Sequence, residues 1–511
     1  MEPATTAKGR YSQLTSDRST FLTRAQDCAE LTIPSLLPRT QGTGVTLPTP
    51  YQGMGAKGVN NLSAKLLQAL LPANQSFFRF QVDDNTLDEL SGDDAMRSKV
   101  LEAMGSMERI VGVQIESTAT RAPLFECLKH LIVTGNGLLY LKPDNSLKFY
   151  RLDKYVVKRD PAGNLIECVV EEVVHPEALP ENIRKIAAAS PINGTANRVH
   201  LYTWIKRKGD FFEVHQECMD TMIPKSKGKW PVDKAPFMAL RWASVDGEDY
   251  GRGHVEEYIG DLRSLEGLTA AIVEGSAAAA KVLFLVNPNG VTQESTVSDS
   301  PNLAVRSGVA TDVSVLKVEK FNDFRVALDT ITQITQRLAQ AFLIVSSITR
   351  DAERVTAEEI RLMAAELESA LGGVYTILAQ EFQLPYVRRL VFQLQKQGKL
   401  PELPPNTVTP VVVTGLDALG RGHDLQNLMQ AAQVVKAALG EQAMQRNVIE
   451  TDFINRVFTA LSVDQKGLVK TPDQIAAENQ ANAKQNMINT LGPEAMKSFA
   501  QQQQQGAPVA A

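Results

Sequence analysis

Carboxylates crowd one stretch of this sequence. Glu248, Asp249, Glu256, Glu257, Asp261, Glu266 and Glu274 stand against only Arg252, Arg263 and Lys281. Such a row can be the solvated face of a helix. Repeated around an assembly, it can instead repel polyanions and keep them from sticking. Glu256, Glu257 and Asp261 are the candidates for that second role. Another group is Arg350 and Arg354, in a break of helical pattern that runs from Ser346 to Arg354. Loop guanidiniums are either ordinary surface cations or contacts for phosphate oxygens, whose geometry their planar donor fork matches.

Nothing else in the chain has the spacing of chemistry. Gly53, Gly55 and Gly58 match G-x-G-x-x-G, but the residues before them, Leu47 to Gln52, include two prolines and cannot be the buried strand a dinucleotide site needs. A loop entering a helix is the simpler reading. No phosphate-binding G-x-x-x-x-G-K-[ST] loop, H-E-x-x-H or G-x-S-x-G occurs. The six histidines share no metal-ligand spacing, and Cys28, Cys127, Cys168 and Cys218 are far apart, as buried reduced thiols are. The expectation is a protein with no catalytic residues, no metal and no cofactor.

The elements that position these residues follow from periodicity. The chain has 511 residues, 43% of them hydrophobic, enough for several domains. The net charge of −5 excludes a strongly basic nucleic-acid grip. No apolar run is long enough to span a membrane, and the N-terminal residues lack a secretory apolar region, so assembly in the cytoplasm is expected. Helices are predicted over 24–38, 58–72, 93–116 and 124–133, with a β-like stretch at Phe77–Val82. Between Gly137 and Cys218 the period falls to two, which predicts a largely antiparallel sheet packed on helices, an α+β domain; Phe237–Trp242 reads as its last strand.

No proline occurs between Pro236 and Pro288, and apolar residues recur every three or four positions from Val255 to Leu283. That predicts one helix over Asp249–Leu283, on the order of 50 Å long. A short-stranded insert, 287–320, separates it from a second helix starting near Phe321. The Thr356–Glu359 capping box restarts a helix at Ala357, and Pro385 marks its kink or end. The 401–410 stretch reads as a stiff linker or edge segment, the chain is helical again from Asp417, and the glutamine-rich end is low-complexity.

Seven blocks, in order, carry a family resemblance: RAQDCAELTIPSLLP, GAKGVNNLSAKLLQALLP, YRLDKYVVKRDPAGN, DGEDYGRGHVEEYIGDLRSLEGL, LVNPNGVTQ, RVTAEEIRLMAAELESALGGVYTILAQEFQLP and TGLDALGRGHDL. Spread over residues 24–425, they make the chain resemble the head-to-tail connector, or portal, proteins of short-tailed, podovirus-type phages. The resemblance implies a mainly helical portal-type α+β fold in a dodecameric ring with a central channel. It implies a wing (1–247), a first stem helix (248–283), a clip (284–320), a second stem helix (321–345), a tunnel loop (346–355), a wing helix (356–400), and a crown with a glutamine-rich tail (401–511). It implies Arg350 and Arg354 facing double-stranded DNA, and Glu256, Glu257 and Asp261 on the channel wall. The implied partners are further copies of the chain, DNA, the terminase large subunit, scaffolding and major capsid proteins, a tail adaptor and internal core proteins. The place implied is the capsid vertex of the virion. Two rival readings stay open: a structural adaptor or scaffold without a DNA conduit, and an enzyme using the Gly53–Gly58 loop.

Overall fold

The computed structural model describes residues 6–40, 44–72, 76–81, 94–181, 184, 198–279, 283–299, 301, 304–316, 321–344, 366–367, 369–371, 373–400, 411–414 and 421–440, with 453–454, 457, 478 and 480–482. The chain divides into two units, Met1–Leu419 and Gly420–Ala511. Arg350, Arg354, the Thr356 capping box and the glutamine-rich end lie outside the described residues.

In the first unit, α1 (Ala7–Glu30) opens on Thr6, whose hydroxyl accepts the Gly9 N–H at 3.2 Å. This satisfies one of the donors a helix start leaves free. α2 (Met54–Leu70) turns Leu62, Leu66 and Leu70 fully inward at helical spacing. Beyond β1 (Phe78–Gln81) come α3 (Asp94–Ser117) and α4 (Arg121–Thr134). α4 ends at Gly135, which has φ 74° and donates its N–H to the Leu131 carbonyl, a left-handed cap that suits glycine.

The strands that follow are β2 (Asn136–Leu141), β3 (Leu147–Tyr150), β4 (Tyr155–Arg159), β5 (Leu165–Val174), β6 (Val199–Lys208), β7 (Phe211–Cys218), β8 (Thr221–Met222), β9 (Gly228–Pro231) and β10 (Phe237–Arg241). All pair antiparallel. β2 lies between β10 and β3, and β4 to β8 form a meander in which β9 also pairs with β7. Alternation decides which face each residue serves. Val156 and its partner Val169 pack, with Tyr202, on Ala7, Tyr11 and Leu14 of α1. Val157, Cys168, Val170 and Ile205 face the main core with α2 and α4. The α+β architecture read from the sequence is the one observed.

The long helical region departs from expectation at its ends. Residues 249–253 are not helical: Arg252 bridges Ala243, and the helix begins with one turn, α5 (His254–Glu257). After Tyr258 it continues as α6 (Ile259–Ala279), about 32 Å at ~1.5 Å per residue. The reason is a crossing of backbones. A Cβ on Gly251 or Gly253 would sit 2.6 Å from the Gly135 oxygen or 2.7 Å from the Val133 oxygen, so these glycines serve close approach to the end of α4 rather than a helix. Leu283, expected in the helix, belongs to β11 (Leu283–Val286).

The insert holds α7 (Glu294–Ser298) and β12 (Val313–Leu316), which pairs antiparallel with β11. α8 (Phe321–Ala341) then returns along α6, ending before the expected Val345. α9 (Val374–Leu378) starts from Gly373, at φ 91°, and runs through a π turn, Ala379–Gln383, into α10 (Leu384–Lys396). Of the two outcomes expected at Pro385, an end is overturned: the helical run continues through it, and the π turn just before it accommodates its missing N–H. β13 (Val411–Thr414), a strand the sequence reading did not assign, pairs with β1, Phe80 opposite Val412. In the second unit the long described helix is α11 (Arg421–Leu439).

Candidate nucleic-acid interface

The start of the α5–α6 helix is where the carboxylates gather, and the fold gives most of them partners. From its bridge with Ala243, just before the helix, Arg252 donates to Glu248 at 2.6 Å and to Glu256 at 2.9 Å. Glu256 also accepts from Arg24 of α1 at 3.2 Å. The hydrogen bond from Arg252 holds the Glu248 carboxyl below its ordinary pKa. Asp249 accepts the Arg159 N–H at 2.6 Å, tying β4 to the segment before the helix. Further along, Glu266 accepts the Tyr51 and Gln52 N–H groups at 2.9 and 3.2 Å, and Glu274 accepts the Tyr51 hydroxyl at 3.1 Å. Asp261 accepts from Arg337 at 2.8 Å, joining α6 to α8. These partners (Arg24, Arg159, Tyr51 and Arg337) are distant in sequence, and no local pattern marks them.

The three candidate wall carboxylates thus differ. Glu256 and Asp261 are half-buried in ion pairs within the chain. The Glu257 side chain is 62% exposed, and the imidazole Nδ1 of His254 lies 3.8 Å away, beyond hydrogen-bond distance. Of the three, Glu257 is the one without a hydrogen-bonded partner among the described residues.

α6 and α8 pack through Leu262, Leu265, Ile334 and Leu338, all buried. Near the insert the helices meet where Gly275 admits Phe324: a Cβ there would lie 2.7 Å from the ring. Gly275 opens a run of small residues, Gly275 to Ala280, and is the one at which the ring of α8 comes closest. Gly260, Ser264, Gly267 and Ala271 form an exposed stripe of small residues on α6.

Arg350 and Arg354 are not described, but the root of their segment is. α8 ends with the Ile344 N–H bonded to the Ala339 carbonyl at 2.8 Å, around Leu343 at φ 52°. Glycine ordinarily takes this left-handed position, and a leucine there costs about 1 kcal/mol. Neighbouring side chains hold it. Asn61 Nδ2 donates to the Phe342 and Leu343 carbonyls at 3.0 and 3.1 Å, and Lys65 Nζ donates to Leu343 at 3.0 Å. The His254 Nε2–H donates to the Ala341 carbonyl at 3.0 Å, which fixes that tautomer. Burial lowers the His254 pKa, so the ring is neutral. Gly58 lets α2 lie against the buried Phe342 ring, its Cβ position 2.5 Å from that ring. One root thus gathers residues from α2, α5 and α8, and the sequence reading missed Asn61, Lys65 and His254 because only the fold brings them together.

The Gly53–Gly58 loop has no strand before it. Gln52 Oε1 caps Gly55 at 2.9 Å, and Gly55 and Gly58 give their space to the Leu31 carbonyl and to Phe342, so the motif is packing. Among the described residues no cluster of metal-binding side chains occurs and no helix is long and apolar enough to cross a membrane. All four cysteines are buried and free, and burial pushes the thiols of Cys28 and Cys168 up to about 12.

Comparison with known proteins places this geometry in a family. The profile described as bacteriophage head to tail connecting protein matches residues 4–469. The portal protein of Enterobacteria phage T3 is 40% identical over 520 residues, covering 97% of this chain and 96% of its own length. That of Escherichia phage T7 is 41% identical over 490 residues, covering 94% and 90%. The portal protein of Enterobacteria phage SP6 is 30% identical, covering 96% of each. Among solved structures, a chain from the neck of an empty GTA particle aligns over 80% of this chain and 90% of its own at 13% identity, with a TM-score of 0.34, too weak a likeness to carry an argument. The chain belongs to the bacteriophage head-to-tail connecting proteins, the family that includes the portal proteins of phages T3, T7 and SP6.

Proposed function

We propose that this chain is the portal protein of a phage virion: a component of the capsid vertex that forms a dodecameric ring, through whose channel double-stranded DNA is packaged and ejected. The observation that carries the reading is the match to portal proteins along nearly the whole chain, 97% of it for the T3 protein. The paired helices α6 and α8, with a two-stranded insert at one end and a side-chain-anchored root at the other, supply a wall, a docking tip and a base for a loop. In this reading 248–283 and 321–345 are the stem, 284–320 the clip, 346–355 the tunnel loop, 1–247 and 356–400 the wing, and 401–511 the crown and tail.

The chain performs no chemistry of its own. A separate terminase, docked on the ring, hydrolyses nucleotide. Scaffolding and major capsid proteins surround the ring during assembly in the host cytoplasm, and a tail adaptor and internal core proteins meet its two ends. Arg350 and Arg354 touch DNA phosphates from the tunnel loop, while Glu257, with Glu256 and Asp261 behind it in ion pairs, keeps the wall from holding DNA. An adaptor without a conduit lacks any observation in its favour. Electron microscopy and native mass of the purified protein test the reading: a hollow ring wide enough for duplex DNA is expected, and a persistent monomer or closed dimer at high concentration overturns it.

A further inference from the structure

Two short lysine blocks, distant in sequence, are brought together by the sheet. Lys206 and Lys208 end β6, while Lys227 and Lys229 stand at the start of β9. β7 lies between them: Glu213 is opposite Lys206 on one side and Lys229 on the other, and Phe211 is opposite Lys208. Lys227 keeps this register, since Ser226 Oγ accepts the Gln216 N–H at 3.1 Å. Residues two apart share a sheet face, so all four lysines rise from one face, and all four are exposed. Aromatic rings support their stems: Lys229 Nζ is 4.2 Å from the Phe211 ring centroid, and Lys206 Nζ is 5.9 Å from that of Trp204. The carboxylates of this face are committed. Glu213 accepts from Lys208 at 2.6 Å, and that bond, with the charges of Lys208, Lys229 and Lys227 around it, holds the carboxyl below its ordinary pKa. Glu167, opposite Lys206 on β5, accepts from Arg10 and from the Trp204 indole, each at 2.7 Å. Glu171 and Glu217 accept from the Tyr202 hydroxyl and the Ala7 N–H. Lys208 thus cancels Glu213, and three ammonium groups are left over.

Alternate residues of a strand are about 6.8 Å apart, and positions 206 and 229 stand two strand spacings apart, roughly 9.5 Å. One carboxylate side chain reaches only part of such an array. A DNA strand carries a phosphate at every ~3.4 Å of rise, so a duplex meets several of these ammonium groups at once. Lysine contacts phosphate as a point charge on a flexible stem, which positions a duplex without reading its bases. We propose that Lys206, Lys227 and Lys229 form a sequence-independent site for the phosphate backbone of duplex DNA on the open face of β6, β7 and β9, using no residue of the paired helices or of the 346–355 segment. The choice of DNA among polyanions rests on the portal reading above, which sets packaged DNA beside the protein. The overall charge of −5 does not oppose it, because salt screens charges lying beyond about 10 Å. Three contacts per copy give a loose, salt-sensitive hold.

The test uses the full-length protein and a short linear duplex at low salt. Lysines are acetylated with and without the duplex, and mass spectrometry reads each position. Slower acetylation of Lys206, Lys227 and Lys229 in the presence of duplex is expected, with the exposed Lys57 on α2 unchanged. No protection of the three overturns the site. The combined variant K206Q/K227Q/K229Q is expected to lose at least about tenfold in duplex affinity at low salt, and to flatten the slope of log affinity against log salt by about 1 for each lysine removed. K57Q is the control, and thermal melts confirm that both variants fold. A folded triple variant that binds duplex like the parent overturns the site while the portal reading stands. Equal protection by polyglutamate assigns the face to an acidic protein surface and overturns DNA. Lysines already unreactive in DNA-free rings, yet reactive in dissociated chains, assign the face to a contact between copies and overturn it too. If no ring forms, the portal reading fails on that result alone, and the lysine protection decides the site separately.

Discussion

At the scale of single residues, the chain uses its charges twice over. Asp261, Glu256 and Glu266 belong to a helix face that looks solvated in sequence, yet each holds another element in place. Exposed pairs of this kind contribute little singly, about 0–1 kcal/mol, so Asp261→Asn is expected to lower the melting temperature only slightly. Asn61 is different, because it serves two carbonyls at a strained leucine. Asn61→Ala is expected to cost about 1–2 kcal/mol in chemical denaturation, and a neutral result would show that Lys65 and His254 hold the root without it. Arg354→Ala is expected to leave assembly intact and reduce packaged DNA; mutant particles with full genome yield would remove Arg354 from the DNA path. Two buried histidines set an acid response. Burial lowers the His130 pKa to about 3 and lowers that of His254 as well. Between pH 3 and the unfolded value near 6.5, the unfolded chain binds a proton at residue 130 that the folded chain refuses. Stability is therefore whole above about pH 6.5 and falls as pH drops, by at most about 1.4 kcal/mol per pH unit for each histidine. A pH series of denaturation midpoints checks the sign, and His130→Phe should flatten it.

At the scale of elements, what was legible depended on whether the signal was local. The strands 136–218 announce themselves by their period and turns, and α2 by its leucines, because these signals are local, even though β4 to β6 bury one face on α1 and the other on the main core. The ends of the long helices were not legible. Gly251 and Gly253 look tolerable in a helix start, and only the crossing with Gly135 shows what they are for. At the other end, Leu343 holds a position that glycine would have signalled, while α2 supplies the stabilising contacts from far away in sequence. β13 was missed because its partner, β1, lies hundreds of residues earlier and neither strand alternates over a useful length. Of the candidate site, the acidic helix start was readable and its ion-pair partners were not. The crossing also makes a firm prediction. Gly253→Ala places a methyl 2.7 Å from one backbone oxygen and 2.9 Å from another. Neither atom can swing aside as a side chain does, so a loss of more than about 2 kcal/mol is expected, in the upper part of the usual overpacking range. A melt unchanged from the parent would mean that the α4–α5 junction gives way easily.

At the scale of the whole molecule, a conduit for DNA has to contact a polyanion without gripping it. A net charge of −5 suits that, since tight duplex binding draws on a basic surface and releases counterions in proportion to the phosphates neutralised. On the proposed wall, the described carboxylates near the helix start are mostly paired with arginines of the same chain, and of the three candidates Glu257 has no hydrogen-bonded partner among the described residues. In a ring each substitution is repeated in every copy, so one residue has leverage that no single chain would give it. If Glu257 lines the channel, as proposed, Glu257→Lys turns a repelling circle of carboxylates into an attracting circle of ammonium groups. Because Glu257 is exposed and only 3.8 Å from a neutral histidine, the change should leave folding and assembly alone. Purified rings carrying it are expected to retain duplex DNA at low salt and release it as salt rises, with a steeper dependence of log affinity on log salt than the parent. Glu257→Gln should fall between the two. If all three rings bind DNA alike across the salt series, position 257 faces away from the channel, and the repelling surface must be built from other carboxylates.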